Sequence, residues 1–331
     1  MIVREEHTIV TGIHHCTICV GAAQEDIDFM TRVIGQRMIK QTVLFDGTAP
    51  IYHLYYANKN AEIGTVMTCF PFKQAGVFGR KGSGQIGAVA YSISENALDF
   101  WVKHLDKHKV KHSGILKRFD RNYIRFAEPS GNVYELIGDD RDKRAGWTTD
   151  EISEANSVKG FNAIIMSVRE VEGQDAYFTV GLGFTKTGQE GKYHRYDILD
   201  GGPCKTVILE HNPDQPAGTW TFGAGTPHHV AFAVANDDLQ MKLKLYLEGL
   251  GYTDASESKD RQYFHSVYVR SPAGILTEFA TTDIGFAVDE PMNELGTHLL
   301  LPPWFEDRRA EIIAPLEKIT VPASNRPKVH A

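Results

Sequence analysis

EPSGNVYELIGDD (residues 128–140) and SPAGILTEFATTD (271–283) carry one frame, P-x-G-x-x-x-E. Pro129, Gly131 and Glu135 fall on Pro272, Gly274 and Glu278 at a constant offset of 143. The same shift lays QIGAVAYSI (85–93) on HHVAFAVAN (228–236), and Arg118 on Arg261. A second relation runs at an offset of 141, with YHLYYA (52–57) on YHRYDI (193–198) and TVMTC (65–69) on TVILE (206–210). GIHHCTICV (12–20) resembles GFNAIIMSV (160–168) at 148. Self-similarity of this kind marks one supersecondary unit used several times.

Each copy opens with a short alternating strand. An amphipathic segment follows: DFMTRVIGQRM, ALDFWVKHL, DAYFTVGLGF or LQMKLKLYLEGLGY. Three β-rich runs separated by turn residues close the unit. The pattern is βαβββ four times, an α+β fold, with modules at 11–75, 83–140, 159–212 and 226–284. The first two form an N-terminal half (1–140) and the last two a C-terminal half (159–284). Residues 141–158 are polar and aperiodic, as expected of a linker. The tail, 285–331, holds a Pro-Pro break and a short charged helix in LLLPPWFEDRRAEIIAPL, expected to pack over the modules.

Of 331 residues, 42% are hydrophobic and 23% charged, with a net charge of -7. No basic stripe offers itself to phosphates, which excludes nucleic acid as the expected partner. No apolar run approaches the ~20 residues that span a bilayer, so no membrane is expected. MIVREEHTIV (1–10) has acidic residues where a signal peptide needs a basic start, and a cytoplasmic protein is expected. A homo-oligomer is compatible with the composition. Cys16 and Cys19 form a C-x-x-C, but residues three apart on a strand face opposite ways, so core thiols are expected.

Positions that differ between copies are informative. At the opening strand, His15 and His229 correspond to Ala163 and Ile86. At the closing strand, Glu278 corresponds to Glu135, Glu210 and Cys69. Two imidazoles and one carboxylate suit a borderline divalent ion, above all Fe(II), with Mn(II) as the alternative. The expected metal set is therefore His15, His229 and Glu278. It requires the first and fourth modules to share one cup, and leaves the second and third a cup without metal. His53 and His194 fall on one another and need only local partners. His104, His108 and His112 stand at i, i+4, i+8 amid lysines (KHLDKHKVKH) and read as a solvated helix face.

These residues match a family. The chain resembles the vicinal oxygen chelate superfamily and, within it, the ring-cleaving dioxygenases of the methyl- and chlorohydroquinone type. The likeness lies in TGIHH, FDGTAPIYHLYYA, GTVMTCFPF, HHVAFAV, DRQYFHSVYVRSPAGILTEFATTD, GFAVDEP and LLLPPWFEDRRAEI. It implies a glyoxalase-like fold whose modules pair into two cup-shaped half-barrels. It implies an iron-dependent dioxygenase acting on an aromatic diol and O2, with His15, His229 and Glu278 as ligands. His14, Thr17, His228, Arg261 and Tyr268 are the surrounding residues it implies. His228 is the expected acid–base residue, taking the proton of the incoming hydroquinone. Strict alternation would turn His14 and His228 away from the ligands, unless the strands bend there; Pro227 makes a bend plausible. An extradiol catechol dioxygenase and a glyoxalase-like isomerase are the rival readings. The isomerase needs a fourth ligand where the first module has Cys69.

Overall fold

In the computed structural model, which describes residues 9–44 and 50–323, the four copies appear in turn. The first runs β1 (Gly12–Val20), α1 (Ala23–Asp28), β2 (Arg37–Val43), β3 (Tyr52–Ala57) and β4 (Val66–Pro71). The second runs β5 (Gln85–Ile93), α2 (Leu98–Lys107), β6 (His112–Arg118), β7 (Arg121–Ala127) and β8 (Val133–Gly138). The third is β9 (Gly160–Val168), α3 (Glu172–Ala176), β10 (Thr185–Glu190), β11 (Tyr193–Asp197) and β12 (Thr206–His211). The fourth is β13 (Thr226–Val234), α4 (Asp237–Gly249), β14 (Lys259–Asp260), β15 (His265–Arg270) and β16 (Leu276–Thr281). Residues 1–8, on which the signal-peptide reading rests, lie outside the described residues.

Two eight-stranded sheets result. One has the order β14-β15-β16-β13-β1-β4-β3-β2, the other β10-β11-β12-β9-β5-β8-β7-β6. The first sheet thus joins the first and fourth copies through the antiparallel pair β1–β13, and the second joins the middle copies through β5–β9. All nine residues of β1 are buried, because both of its faces are covered. One face meets the helices: Ile13, Cys16, Ile18 and Val20 share a core with Met30, Tyr91, Trp101 and Phe161. The other face lines the cup. Cys16 and Cys19 accordingly lie in different clusters, both thiols pushed up by burial.

The helices follow local rules. α2 buries Leu98, Trp101 and Leu105, one stripe at i, i+3, i+7. The Asn236 side chain accepts from the Leu239 N–H (3.1 Å) and caps α4. α1 and α3 each run on into a π-helical turn, Phe29–Val33 and Tyr177–Gly181, so the repeat extends to this irregularity. Residues 141–158 are irregular except for a 3-10 turn at Glu154–Asn156, and Ile152 anchors them in the core. The tail adds α5 (Arg309–Ile313), places Leu301 and Leu316 on the core and lends the Glu317 carboxylate to the Ala23 N–H (3.0 Å). Buried Lys40 is paired with Asp289 and Glu290. No helix among the described residues is long and apolar enough to cross a membrane.

Strand pairing corrects the repeat at three places. Ala231, two residues after His229, pairs with Glu278; Ala90, two after Ala88, pairs with Glu135. Ala88, not Ile86, therefore stands where His229 does. Thr17, two after His15, pairs with Thr68, so Thr68 and not Cys69 takes the carboxylate's place. Ile165 likewise pairs with Ile208, leaving Glu210 one pleat further on. Finally, Tyr56 pairs with Met67 as Tyr196 does with Val207. His53 thus corresponds to Tyr193, and His194 to Leu54, on opposite faces. A slip of one residue reverses the face; a slip of two moves a side chain by a pleat.

Candidate metal centre

His15 and His229 reach the same point from the two central strands of the first sheet. Their Nε2 atoms are 3.0 Å apart, and Glu278 Oε2 lies 2.7 Å from that of His229 and 3.6 Å from that of His15. His15 and His229 are almost fully buried, and Glu278 completely so. Ser266 Oγ donates to Glu278 Oε1 (2.5 Å), yet Oε2 has no hydrogen-bond partner among the described residues despite the short approach of His229. The contact has the distance of a bond without its direction. A buried carboxylate oxygen left unpaired costs a few kcal/mol unless a cation completes it.

The paired histidines answer one another through strand irregularities. In the β1–β13 ladder the register shifts between Ile13 and His15, and again where Thr17 pairs with His229 and Ile18 with Pro227. His14 and His228 are the residues passed over, one at each bulge. A bulge re-aims its side chain, which removes the conflict with strict alternation. His14 Nδ1 is 2.9 Å from His15 Nδ1, and His228 Nδ1 is 2.7 Å from His229 Nδ1.

The first doublet has one consistent proton assignment for neutral rings. His14 Nε2 lies 3.1 Å from the Thr281 carbonyl, which can only accept, so that nitrogen carries the proton. Its Nδ1 must then accept from His15 Nδ1–H, leaving a lone pair on His15 Nε2. Burial holds His14 down to about 4 and His229 to about 3, and holds His15 well below its usual value, so these rings are neutral at pH 7. By the same logic, a lone pair on His229 Nε2 requires Nδ1–H to donate to His228, whose own proton then sits on Nε2. Such partners fix the tautomer and aim of metal-binding imidazoles. Two lone pairs and an unpaired carboxylate oxygen facing one point are a donor set suited to a divalent metal.

A cavity of about 290 Å³ opens above this point, with His53, Phe70, His228, Arg261, Phe264 and Tyr268 among its walls. Phe222 stacks on His228 at 3.7 Å. Arg261 Nε donates to the Tyr268 hydroxyl (3.2 Å), and burial together with Glu278 raises that phenol, which keeps its proton. Thr17 Oγ1 lies 2.8 Å from His229 Nε2. Of the eight residues expected at the site, His15, His228, His229, Arg261 and Tyr268 line this hollow, while His14, Thr17 and Glu278 each contact one of the two histidines at its floor.

Four others were not foreseen. Thr68 Oγ1 contacts Thr17 Oγ1 (2.7 Å) and His53 Nε2 (3.0 Å), and the Tyr55 hydroxyl contacts His53 Nδ1 (3.1 Å). His53 is thus part of the cavity rather than a strand residue with only a local role. Ser266 orients Glu278. For His53, Tyr55 and Thr68 the sequence signal was a period of two, concealed by the misplaced register; Ser266 had none. The expected solvated face is also corrected: His104 is buried because it faces the end of the first copy's helix, donating from Nε2 to the Val33 carbonyl (3.0 Å). His112 has left the helix for β6.

Comparison with known proteins shows the family and the fold. The profile of the Glyoxalase/Bleomycin resistance protein/Dioxygenase superfamily matches residues 12–136. A chlorohydroquinone/hydroquinone 1,2-dioxygenase of Sphingobium indicum is 38% identical over 306 residues, 92% of this chain and 95% of that protein. A solved Bacillus subtilis protein assigned as a dioxygenase superposes with a TM-score of 0.88 at 34% identity, covering 95% of this chain and 98% of its own. Maize glyoxalase I, at 12% identity and a TM-score of 0.59 over 82% of this chain and 92% of its own, shares the fold.

Proposed function

Because the chain belongs to the ring-cleaving dioxygenases of the glyoxalase/bleomycin resistance protein/dioxygenase superfamily, we propose that it opens hydroquinone-type rings, 1,4-diols, with Fe(II) held by His15, His229 and Glu278. The observation that carries this is the unpaired Glu278 Oε2 beside two Nε2 atoms at the floor of an aromatic-walled cavity. When bound, the metal supplies the redox coupling between ring and O2, and its charge favours an ionised phenol.

The chain's own residues do the rest. Phe70 and Phe264 offer apolar walls to a flat ring. A 1,4-diol can give the metal one oxygen only, so its second hydroxyl needs a protein partner. Arg261, with its charge, and Tyr268, with its retained proton, are placed to supply one. His228 rests with its proton on Nε2 if His229 serves as ligand. It is therefore a hydrogen donor toward a substrate or oxygen atom at rest, and takes the substrate's proton only by giving up the bond to His229. Thr68 stands where a four-ligand isomerase would place a carboxylate, and a neutral hydroxyl is a poor substitute.

The test is oxygen uptake by anaerobically iron-loaded protein. Hydroquinone and its methyl and chloro derivatives should be turned over faster than catechol, and a glutathione hemithioacetal should not be isomerised. Faster catechol cleavage, or isomerisation without oxygen uptake, would overturn the reading.

A further inference from the structure

The helical histidine ladder that the ring chemistry leaves unused has a definite geometry. His104 and His108 stand one turn apart at the end of α2, their ring centroids 4.6 Å apart. Glu151, from the segment between the two halves, reaches both: its Oε2 is 2.9 Å from His108 Nε2 and 3.8 Å from His104 Nδ1. One ligand atom from each of the three lies within 4.8 Å of the others. The bond from His104 Nε2–H to Val33 O leaves the lone pair on Nδ1, the nitrogen that lies 3.8 Å from Glu151 Oε2. A backbone carbonyl on the far nitrogen is the usual support of a metal-binding imidazole.

The scaffold is rigid. Phe100 stacks on His104 (5.3 Å, 19°). Glu151 precedes Ile152, which is fully buried and leaves no room for a side chain at Gly35, where a Cβ would lie 2.5 Å from its Cδ1. One group opposes a cation: Lys107 Nζ lies 2.9 Å from Glu151 Oε2. It is mostly exposed, so a dication can displace it.

We propose that His104, His108 and Glu151 form a second site for a divalent transition metal of the zinc type, fastening residues 141–158 to α2. Two imidazoles and a carboxylate with a fourth position open to water suit Zn2+. The bound ion ties together the end of the first copy's helix, the helix of the second and the segment that joins the halves. Ligand linked to the folded state alone raises its stability.

The experiment dialyses iron-loaded protein against micromolar free Zn2+ and counts both metals per chain, with melting temperature alongside. The wild type should keep its iron, gain one zinc and melt higher. His108→Ala and Glu151→Gln should keep iron and ring-cleaving activity but gain no zinc and no thermal shift. Lys107→Gln should bind zinc more tightly, because the competing ammonium is gone. Equal zinc uptake by wild type and His108→Ala, or zinc that merely replaces iron at one metal per chain, would overturn the proposal. Iron loading is read separately, so this outcome is independent of the ring-cleaving assignment.

Discussion

Where the first sheet puts His15, Thr68, His229 and Glu278, the second puts Ala163, Ile208, Ala88 and Glu135. One carboxylate survives in the same place in both, and the two sheets treat it oppositely. Glu135 is gripped by Arg118 through both oxygens (3.1 and 2.6 Å) and by Arg125 (3.2 Å), while Tyr123 and Tyr193 cover the Arg118 guanidinium. In the first sheet Arg261, the counterpart of Arg118, bonds to Tyr268 instead, and Tyr268 takes the place of Arg125 opposite the carboxylate. The second sheet neutralises its buried charge with arginine. The first withholds arginine and leaves an oxygen for a metal. The difference between the cups is therefore two histidines gained and two guanidinium contacts withdrawn, on an unchanged backbone plan.

The largest effect should come from removing the charge that the first cup leaves open. Glu278→Ala should lose most of the bound iron and nearly all oxygen uptake, as measured by metal analysis and an oxygen electrode on the same sample. Glu135→Ala should leave both unchanged per folded molecule. A Glu278→Ala protein with full iron and normal turnover would break the comparison at its centre.

The second cup should respond in stability instead. Arg118→Met strands a fully buried carboxylate, and breaking a buried pair costs ~3–5 kcal/mol. Arg125 remains in contact, which favours the lower end. The double variant Arg118→Met/Glu135→Leu should recover much of the loss, since replacing both charges removes the stranded one. Denaturant midpoints of the two variants check this, and iron content should not move in either.

Smaller again is the effect at His228. His228→Ala should keep its iron while kcat falls ~10²-fold, the low end for a lost proton-transfer group. His228→Gln, whose amide can still donate a hydrogen bond, should recover part of that loss. Loss of iron in the alanine variant would mark His228 as a support of the metal rather than a partner of the substrate.

The repeat made the four βαβββ units and the candidate triad legible, because one constant offset joins Glu135 to Glu278. It misplaced three neighbours for a physical reason. The chain between opening and closing strands differs in length from copy to copy, so His229 falls on Ala88 at an offset of 141 while Glu278 falls on Glu135 at 143; the bulges at His14 and His228 are not the cause. Gly87 and Asn162 are passed over in the same way in the second sheet. Loops of different length shift whole strands by one, which concealed His53 and Thr68 by reversing their face. Ser266 and the burial of His104 depend on what lies opposite in space, and no offset reports that.

The finest contrast between the sheets is a carboxylate away from both centres. Tyr56 donates to Asp26 Oδ2 (2.8 Å) in the first copy, and Tyr196 donates to Asp175 Oδ1 (2.5 Å) in the third. Asp26 is buried, its Oδ1 has no partner among the described residues, and burial pushes its carboxyl up to about 7. Burial raises Asp175 as well, but Lys186 (2.8 Å) and Tyr196 more than offset this, and its carboxyl sits below the usual range. The two should therefore affect stability with opposite slopes. Between about pH 4 and 7 native Asp26 holds a proton that the unfolded chain has released, so stability falls as pH rises through that window, by up to ~1.4 kcal/mol per unit. Asp26→Asn cannot ionise and can still accept from Tyr56, so its advantage over wild type should grow from pH 4 to 7 and then level. Asp175 contributes stability above its unfolded pKa that is lost as pH falls through its depressed native one. Asp175→Asn should thus lose a little at pH 7, about 0.2–1 kcal/mol for a partly exposed pair, and approach wild type in acid. Melting curves of the three proteins from pH 3 to pH 8 give both slopes. Parallel curves for Asp26→Asn and wild type would mean that Asp26 is ionised in the native state, and that the first sheet tolerates a second unpaired carboxylate.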